Sequence, residues 1–462
     1  MVGNAGNPDR YKAVTMANVS SCPQWEQLGP DQQEAIRVVG SVLPFRANHY
    51  VMDQLIDWDS VPNDPIFQLT FPQRDMLTPE HYEHVATMLK EGVDKQDKPR
   101  FKKEIDRIRY ELNPHPAGQM THNVPMLEGE PLDGIQHKYE QTMLYFPSQG
   151  QTCHAYCSFC FRWAQFVGLD DLKFSNKHVD QLVGYLQQHP EITDVLFTGG
   201  DPMIMKSAVF QRYIEPLVNS DGLDHIRTIR IGTKSLGYWP QRFVTDPDAD
   251  HMIDLFRQIT DSGMNLAIMA HTSHPVEFST DIAEAAIQRV RSTGANIRMQ
   301  SPLIKHVNDD PDTWANLWQS GVELGCIPYY MFVERDTGAR HYFAVPLVRC
   351  WEIFRDAYQQ VSGIARTVRG PSMSAFPGKV HVLGVTECDQ QKAFMLEYLQ
   401  CRDPELVRQP FFARFDPNAA WFDQLQPLRA SDERFFKVTG ETSESDPASS
   451  VIRLHVDQDV AI

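Results

Sequence analysis

Cysteine is scarce in this chain, with eight among 462 residues. They are too few and too irregularly spaced for a disulfide framework, which excludes a small stapled secreted fold and suits a reducing, cytoplasmic compartment. There is no run of about 18 apolar residues, so no membrane-spanning helix is expected. The N-terminus, beginning Met1-Val2-Gly3-Asn4, lacks a basic segment followed by an apolar one, so no secretory signal is expected. Basic residues are the minority: 43 Lys and Arg stand against 60 Asp and Glu, a formal net charge of −17. Such a surface repels phosphate backbones, and no nucleic-acid partner is expected. What is present is ordinary globular composition, 42% hydrophobic and 22% charged, in a chain long enough for one large core with appendages.

Along the chain, residues 1–25 read as irregular, and residues 1–135 form a polar, mostly helical N-terminal region broken by prolines. The charge-dense stretch Lys95–Arg109 within it reads as a solvated helix face. From Thr142 a strand–helix rhythm begins. Short apolar runs at Met143–Phe146, Thr193–Thr198, Ile226–Ile231, Asn265–Ala270, Asn296–Ser301 and Ile327–Val333 predict strands buried on both faces. Between them, Val179, Leu182, Val183 and Leu186 recur at helical spacing, with Pro190 just beyond, and Ile282, Ala286, Ile287 and Val290 do the same before Gly294. Strand and helix alternating at about 30–40 residues predict parallel βαβ units. The fold class is thus α/β, with six strands suiting an open, partial (β/α)6 barrel over residues 136–385 better than a closed eightfold one. Residues 386–462 read as a C-terminal extension: helical and loop segments to about 437, then an acidic, mobile tail over 438–450.

Three of the eight cysteines fall together, as Cys153-x3-Cys157-x2-Cys160 in the loop after the first predicted strand. Barrel enzymes place their chemistry at that end of their strands. A closed zinc site or an ordinary iron–sulfur carrier needs four protein ligands, whereas three leave one iron of a 4Fe–4S cluster open to a small molecule. Three unrelated cysteines, or a zinc site with a distant fourth ligand, are the competing readings. The second predicted strand ends in Thr198-Gly199-Gly200-Asp201, where glycines allow close backbone approach and a carboxylate accepts from an ammonium group. Together the two segments resemble the radical S-adenosylmethionine (SAM) enzymes, in which the open iron binds SAM, one electron cleaves it to a 5′-deoxyadenosyl radical, and the Gly-Gly-Asp-type segment meets SAM's amino group.

A further ordered set resembles the lysine 2,3-aminomutase family from about residue 40 to 385. It comprises Asn63-Asp-Pro-Ile66, His137-Lys-Tyr139, Cys160-Phe-Arg162, Arg230-Ile-Gly-Thr233, Pro240-Gln-Arg242, His271-Thr-Ser-His274, Gln300-Ser-Pro302, Pro328-Tyr-Tyr330 and Gly378-Lys379-Val380. The resemblance implies an isomerase using a 4Fe–4S cluster on Cys153, Cys157 and Cys160, SAM, and pyridoxal 5′-phosphate (PLP). It implies that Gly199, Gly200, Asp201 and Gln300 contact SAM, that Lys379 is the catalytic lysine forming the Schiff base with PLP, and that Arg162 clamps the substrate α-carboxylate. It also implies a small-molecule amino-acid substrate and a reductant such as flavodoxin or ferredoxin, and leaves room for a homo-oligomer. His271 and His274 stand as cavity-lining or core residues.

The departures are as informative. The lysine enzymes hold the substrate's ε-ammonium with two aspartates. The first position falls at Arg335 here, with Asp336 one residue away, and the second falls at Arg369 or Ser372. An ammonium beside a guanidinium is disfavoured in a dry site, so an acidic or neutral amino acid suits Arg335 better than lysine does. The glycine run before the PLP lysine is replaced by Ser374-Ala-Phe-Pro-Gly378, and a basic PLP-phosphate contact appears as Thr142. The cysteine cluster that binds zinc in the lysine enzymes' tail is missing. A radical SAM enzyme on this scaffold without PLP, and a non-enzymatic iron–sulfur or zinc protein, remain as alternatives.

Overall fold

In the computed structural model of the chain, the structure describes residues 11–114 and 120–437. The acidic tail and the first ten residues of the irregular N-terminus lie outside them. The molecule is organised around one eleven-stranded sheet in which every spatial neighbour is also a sequence neighbour. Its strands are β1 (Ile135–Tyr139), β2 (Thr142–Tyr145), β3 (Asp194–Phe197), β4 (Thr228–Thr233), β5 (Asn265–His271), β6 (Asn296–Leu303), β7 (Ile327–Val333), β8 (Arg369–Ser374), β9 (Gly378–Cys388), β10 (Gln391–Cys401) and β11 (Phe411–Arg414). From β2 to β8 all pairings are parallel. The edge strand β1 is antiparallel to β2, and β9, β10 and β11 continue antiparallel from β8.

Parallel pairing requires crossovers. Six helices supply them: α1 (Val179–Gln188), α2 (Ser207–Asn219), α3 (Ala249–Asp261), α4 (Asp281–Arg291), α5 (Pro311–Glu323) and α6 (Leu347–Gln360). The apolar spacing of α1 buries Leu182, Tyr185 and Leu186, and that of α4 buries Ala286, Ile287 and Val290. On α5, Trp314 and Trp318 are buried, and Trp318 meets Phe354 of α6 at 5.9 Å. Each such fully buried large side chain stabilises the outer layer by about 1.5–3 kcal/mol.

The sheet curls. Lys138 of β1, Leu196 of β3, Arg230 of β4, Gln300 of β6 and Lys379 of β9 all line one cavity of about 1120 Å³, which a flat sheet could not bring about. Lys138 Nζ on the edge strand donates to Ala375 O between β8 and β9 at 2.9 Å, so the open side is narrowed to a seam.

All six predicted strands are present, but the barrel wall does not stop at the sixth. β8 adds a seventh parallel strand. Its sequence, Arg-Gly-Pro-Ser-Met-Ser, carries little strand propensity, and it is held by its neighbours, with Gly370 to Met373 buried between β7 and β9. The expectation of helical and loop segments after residue 386 is also corrected, because β9 runs to Cys388 and β10 and β11 extend the sheet to Arg414. The β9–β10 hairpin turns at Asp389 and Gln390, both at positive φ of 52° and 60°. A primed turn made by Asp-Gln lacks the Asn-Gly or Asp-Gly signal that marks such hairpins in a sequence.

The N-terminal region packs as a second apolar core, and that core includes Ala155, Phe159, Trp163 and Ala164 of the cysteine loop. The charge-dense helix Lys98–Glu111 is a solvated face, as read: Lys102–Asp106 and Arg107–Glu111 pair at i, i+4 on its exposed side. Arg109 is the exception, reaching inward to Val42 O at 2.8 Å and Ser41 O at 3.1 Å. Among the described residues no helix is long and apolar enough to cross a membrane.

Candidate active site

The cysteine loop leaves the end of β2 and is pinned from the N-terminal region. Arg46 Nη1 donates to Cys153 O at 3.1 Å and Thr152 Oγ1 at 3.0 Å. Tyr11 donates its hydroxyl to His154 O at 2.9 Å, and Ser158 N to Leu69 O at 2.8 Å. Cys153, Cys157 and Cys160 are all free thiols. Each lies within the electrostatic reach of another, since Cys157 and Cys160 both act on Cys153. Among the described residues no three His, Cys, Asp or Glu side chains converge on ready-made metal-ligand geometry. The donor set nonetheless fits an iron–sulfur cluster: three soft sulfur ligands on one short loop and no fourth.

Asp201, expected from the sequence to meet the amino group of SAM, is engaged by the protein itself. Its carboxylate is 2% exposed and already saturated by the protein. His154 Nε2 lies 3.0 Å away, Thr233 Oγ1 donates at 2.8 Å, and the backbone N–H groups of Met203 and Lys234 both donate at 2.9 Å. Burial alone would raise its pKa. The His154 contact and the two backbone donors outweigh that and hold the carboxyl below its usual range. Asp201 thus ties the cysteine loop to the end of β4.

Gly199 and Gly200 serve the same junction. A Cβ on Gly200 would meet Thr152 O at 2.4 Å, and one on Gly199, which sits at φ +132°, would meet the Gln151 side chain at 2.1 Å. Their lack of a side chain lets the loop lie against the strand end. Asp201→Ala strands several buried donors at once, and such breaks cost about 3–5 kcal/mol. Urea unfolding without any SAM present is expected to show that loss; a variant as stable as the native protein would return Asp201 to a ligand role.

The other candidates share the cavity. Arg162, Gln300, Arg335, Arg369 and Lys379 all line it, as does Thr142. Of the two positions offered for the second aspartate, Arg369 lines the cavity and Ser372 is buried and not among its lining residues. Arg335 and Asp336 both reach the wall. Arg162 is 6% exposed, lies 4.1 Å over the Phe146 ring, and spends one nitrogen on Gln165 Oε1 at 2.8 Å. Its Nε has no partner, and burial pushes its pKa down to about 10.

Lys379 Nζ sits 4.2 Å over Tyr330 and 5.7 Å over Phe332. Burial first, and then the charges of Arg230 and Arg369, push it down to about 7. Lys138, which the sequence reading did not single out, is pushed down to about 7 as well, by burial and by Arg402, Arg335 and Lys379. The only signal for it lay in the His137-Lys-Tyr139 string. His271 and His274 do not line the cavity. His271 stacks on Phe159 at 5.8 Å and is pushed to about 3 by burial. His274 caps the turn at Pro275–Phe278, its Nδ1 accepting from Val276 N.

No protein-family model matches the chain. A putative L-lysine 2,3-aminomutase from Aquifex aeolicus is 29% identical over 405 residues, covering 88% of this chain and 94% of that protein. L-lysine 2,3-aminomutase from Haemophilus influenzae is 27% identical over 242 residues, covering 51% and 67%. Among solved structures, a radical SAM methyltransferase from Sphaerobacter thermophilus is 19% identical with a TM-score of 0.37, over 52% of this chain and 68% of that one, too slight a likeness to argue from. By sequence, over most of its length, the chain is similar to a putative lysine 2,3-aminomutase, and over about half of it to L-lysine 2,3-aminomutases.

Proposed function

We propose that the chain is a radical SAM, PLP-dependent amino-acid 2,3-aminomutase, an isomerase that moves the α-amino group of an amino acid to the β-carbon. The observation that carries this reading is Lys379. Its amine, with no hydrogen-bond or ion-pair partner among the described residues and poised near neutral pH, faces a cavity that also holds the guanidinium of Arg162, whose Nε is unpartnered, and the side chain of Gln300. The similarity to aminomutases over 88% of the chain supports it.

In this reading Cys153, Cys157 and Cys160 hold a 4Fe–4S cluster, and Gln300, on the wall at β6, contacts SAM. Gly199 and Gly200 shape that region by seating the cysteine loop. Lys379 anchors PLP, and a cavity of about 1120 Å³ has room for PLP and an amino acid together. Arg230 and Arg369 are the cations that act on the anchor, and since Arg230 is paired with Asp194, Arg369 and Lys138, which feels Lys379, are the ones through which a phosphate would be held. When bound, the cluster and SAM supply one-electron hydrogen abstraction, with the electron from a flavodoxin- or ferredoxin-type reductant, and PLP supplies the carrier for nitrogen migration. The chain's own part is positioning. Arg162 takes the α-carboxylate in a bidentate fork, the curled sheet excludes water, and Arg335 meets the side chain, so that an acidic or neutral amino acid suits the site better than lysine.

Anaerobic incubation with SAM, PLP, dithionite and a panel of amino acids is expected to yield a β-amino acid isomer, detected by derivatisation and chromatography. SAM cleavage with no β-amino product from any amino acid, in protein that retains no PLP absorbance, would replace this reading with a radical SAM enzyme doing another hydrogen abstraction.

A further inference from the structure

The protein as a whole is strongly acidic, yet the cavity wall is cationic. Lys138, Arg162, Arg335, Arg369, Lys379 and Arg402 all line it, and none of the six is in an ion pair among the described residues. Arg230 is paired, with Asp194 at 2.6 Å. The other acids on the wall are Asp336, which has a partner of its own, and Asp423, which is exposed. Holding PLP engages Lys379 and its neighbouring cations, and one α-carboxylate engages Arg162. Arg335 makes no ion pair among the described residues, with Asp336 and Glu334 as the acids whose charge reaches it.

Arg335 is also built to be rigid. Its guanidinium lies 5.2 Å from the Phe161 ring and 5.8 Å from the Trp421 ring. Phe161 comes from the cysteine loop. Trp421 comes from the segment after β11, which returns over the cavity and adds Phe422, Leu425 and Phe436 to its wall. Two aromatic rings within cation–π distance restrict where the guanidinium sits, and a guanidinium so held suits a fork-like pair with a carboxylate. Its Nε is buried without a partner. Arg162 and Arg335 are close enough to repel one another, so two anionic groups on one short ligand relieve both.

We propose that the substrate is a short α-amino dicarboxylic acid of the aspartate or glutamate class, with its distal carboxylate on Arg335 and with Trp421 of the C-terminal segment as the residue that positions Arg335. This rests on the aminomutase reading for the α-carboxylate at Arg162. The amides of these acids have the same shape without the charge; their carbonyl can accept from the guanidinium but leaves its charge unneutralised. Lysine places a second cation beside it.

The test is equilibrium binding, by calorimetry, to protein loaded with cluster and PLP but given neither SAM nor reductant, so that nothing turns over. At least one of L-aspartate and L-glutamate is expected to bind about tenfold or more tighter than its amide, the range for a charge-assisted hydrogen bond, with L-lysine weaker than either amide. Arg335→Gln should collapse the acid-over-amide ratio to about one while sparing amide binding, and Arg335→Lys should keep part of it. Trp421→Leu should lower the ratio without weakening the amide, and Trp421→Phe should restore it. Equal binding of acid and amide by the native protein overturns the proposal with no variant needed, as does a ratio that survives Arg335→Gln. An unchanged ratio in Trp421→Leu removes Trp421 from it. Glutarate, which has no amino group to react with PLP, separates the two readings. If the protein without PLP binds glutarate in an Arg335-dependent way while no amino acid perturbs the PLP absorbance, the aminomutase reading fails and the arginine site stands.

Discussion

A Cys157→Ala variant is expected to lose its iron–sulfur absorbance and its ability to cleave SAM together. The loop that carries the three thiols is fixed at its backbone from Arg46, Tyr11 and Leu69, so removing one thiol leaves the other two where they were and does not recruit a fourth. The remaining five cysteines include Cys326 and Cys350, buried in the core, and Cys22, whose thiol donates to Asn18 O. None of these lies in the loop. Loss of an outer-shell partner of a metal ligand costs about 10–100-fold in affinity or activity, and loss of a ligand itself should exceed that. Cys22→Ala is the control and should retain full cluster content. The measurement is iron and sulfide content with the absorbance spectrum after anaerobic reconstitution, followed by 5′-deoxyadenosine release under dithionite. Persistent SAM cleavage in Cys157→Ala would refute the assignment, and zinc in place of iron in the native protein would move the loop to a different class of site.

The second large effect is at Lys379. A lysine near its ordinary pKa is almost wholly protonated at pH 7, whereas one pushed down to about 7 is half neutral, a gain of roughly a thousandfold in reactive amine. The sign is fixed by which form reacts: the neutral amine attacks the carbonyl of PLP, so the rate of attachment to the unloaded protein should rise through pH 7 and level off above it. Lys138 is the competitor, being equally depressed, but its amine is committed to Ala375 O at 2.9 Å, while that of Lys379 rests over the Tyr330 and Phe332 rings. Borohydride reduction and peptide mapping should therefore find the label on Lys379. Lys379→Ala should lose both the label and any amino migration, while Lys138→Ala keeps the label. A label on Lys138, or an attachment rate that climbs only near pH 10, would show that the anchor has been misassigned.

Several features of the site were legible in the sequence because they are carried by short-range patterns. The cysteine triplet is one, since its spacing alone states the number of soft ligands on one loop. The six strands from β2 to β7 are another, since they show as short apolar runs in the sequence, although only one face of β2, β3 and β4 is fully buried and the other face of the wall, carrying Arg230 and Gln300, lines the cavity. Arg162, Gln300 and Lys379 were found through their neighbours in ordered strings, and the structure places all three on one cavity wall.

Tertiary structure alone decided the rest, and in each case because the deciding partner is far away in the chain. Asp201 reads as a ligand in Gly-Gly-Asp, and the protein partners of its carboxylate are visible only in the fold: His154, 47 residues before it, and Thr233 and Lys234, more than 30 residues after it. β8 has almost no strand propensity of its own and exists because β7 and β9 offer it hydrogen bonds and burial. The setting of Arg335 depends on Phe161 and Trp421, which approach it from opposite ends of the chain. The sequence by itself determined which atoms are available for chemistry, because that is a matter of residue type and spacing. Which of those atoms are already satisfied and which face the cavity unpaired was decided only when the sheet curled and brought distant charges into one low-dielectric space.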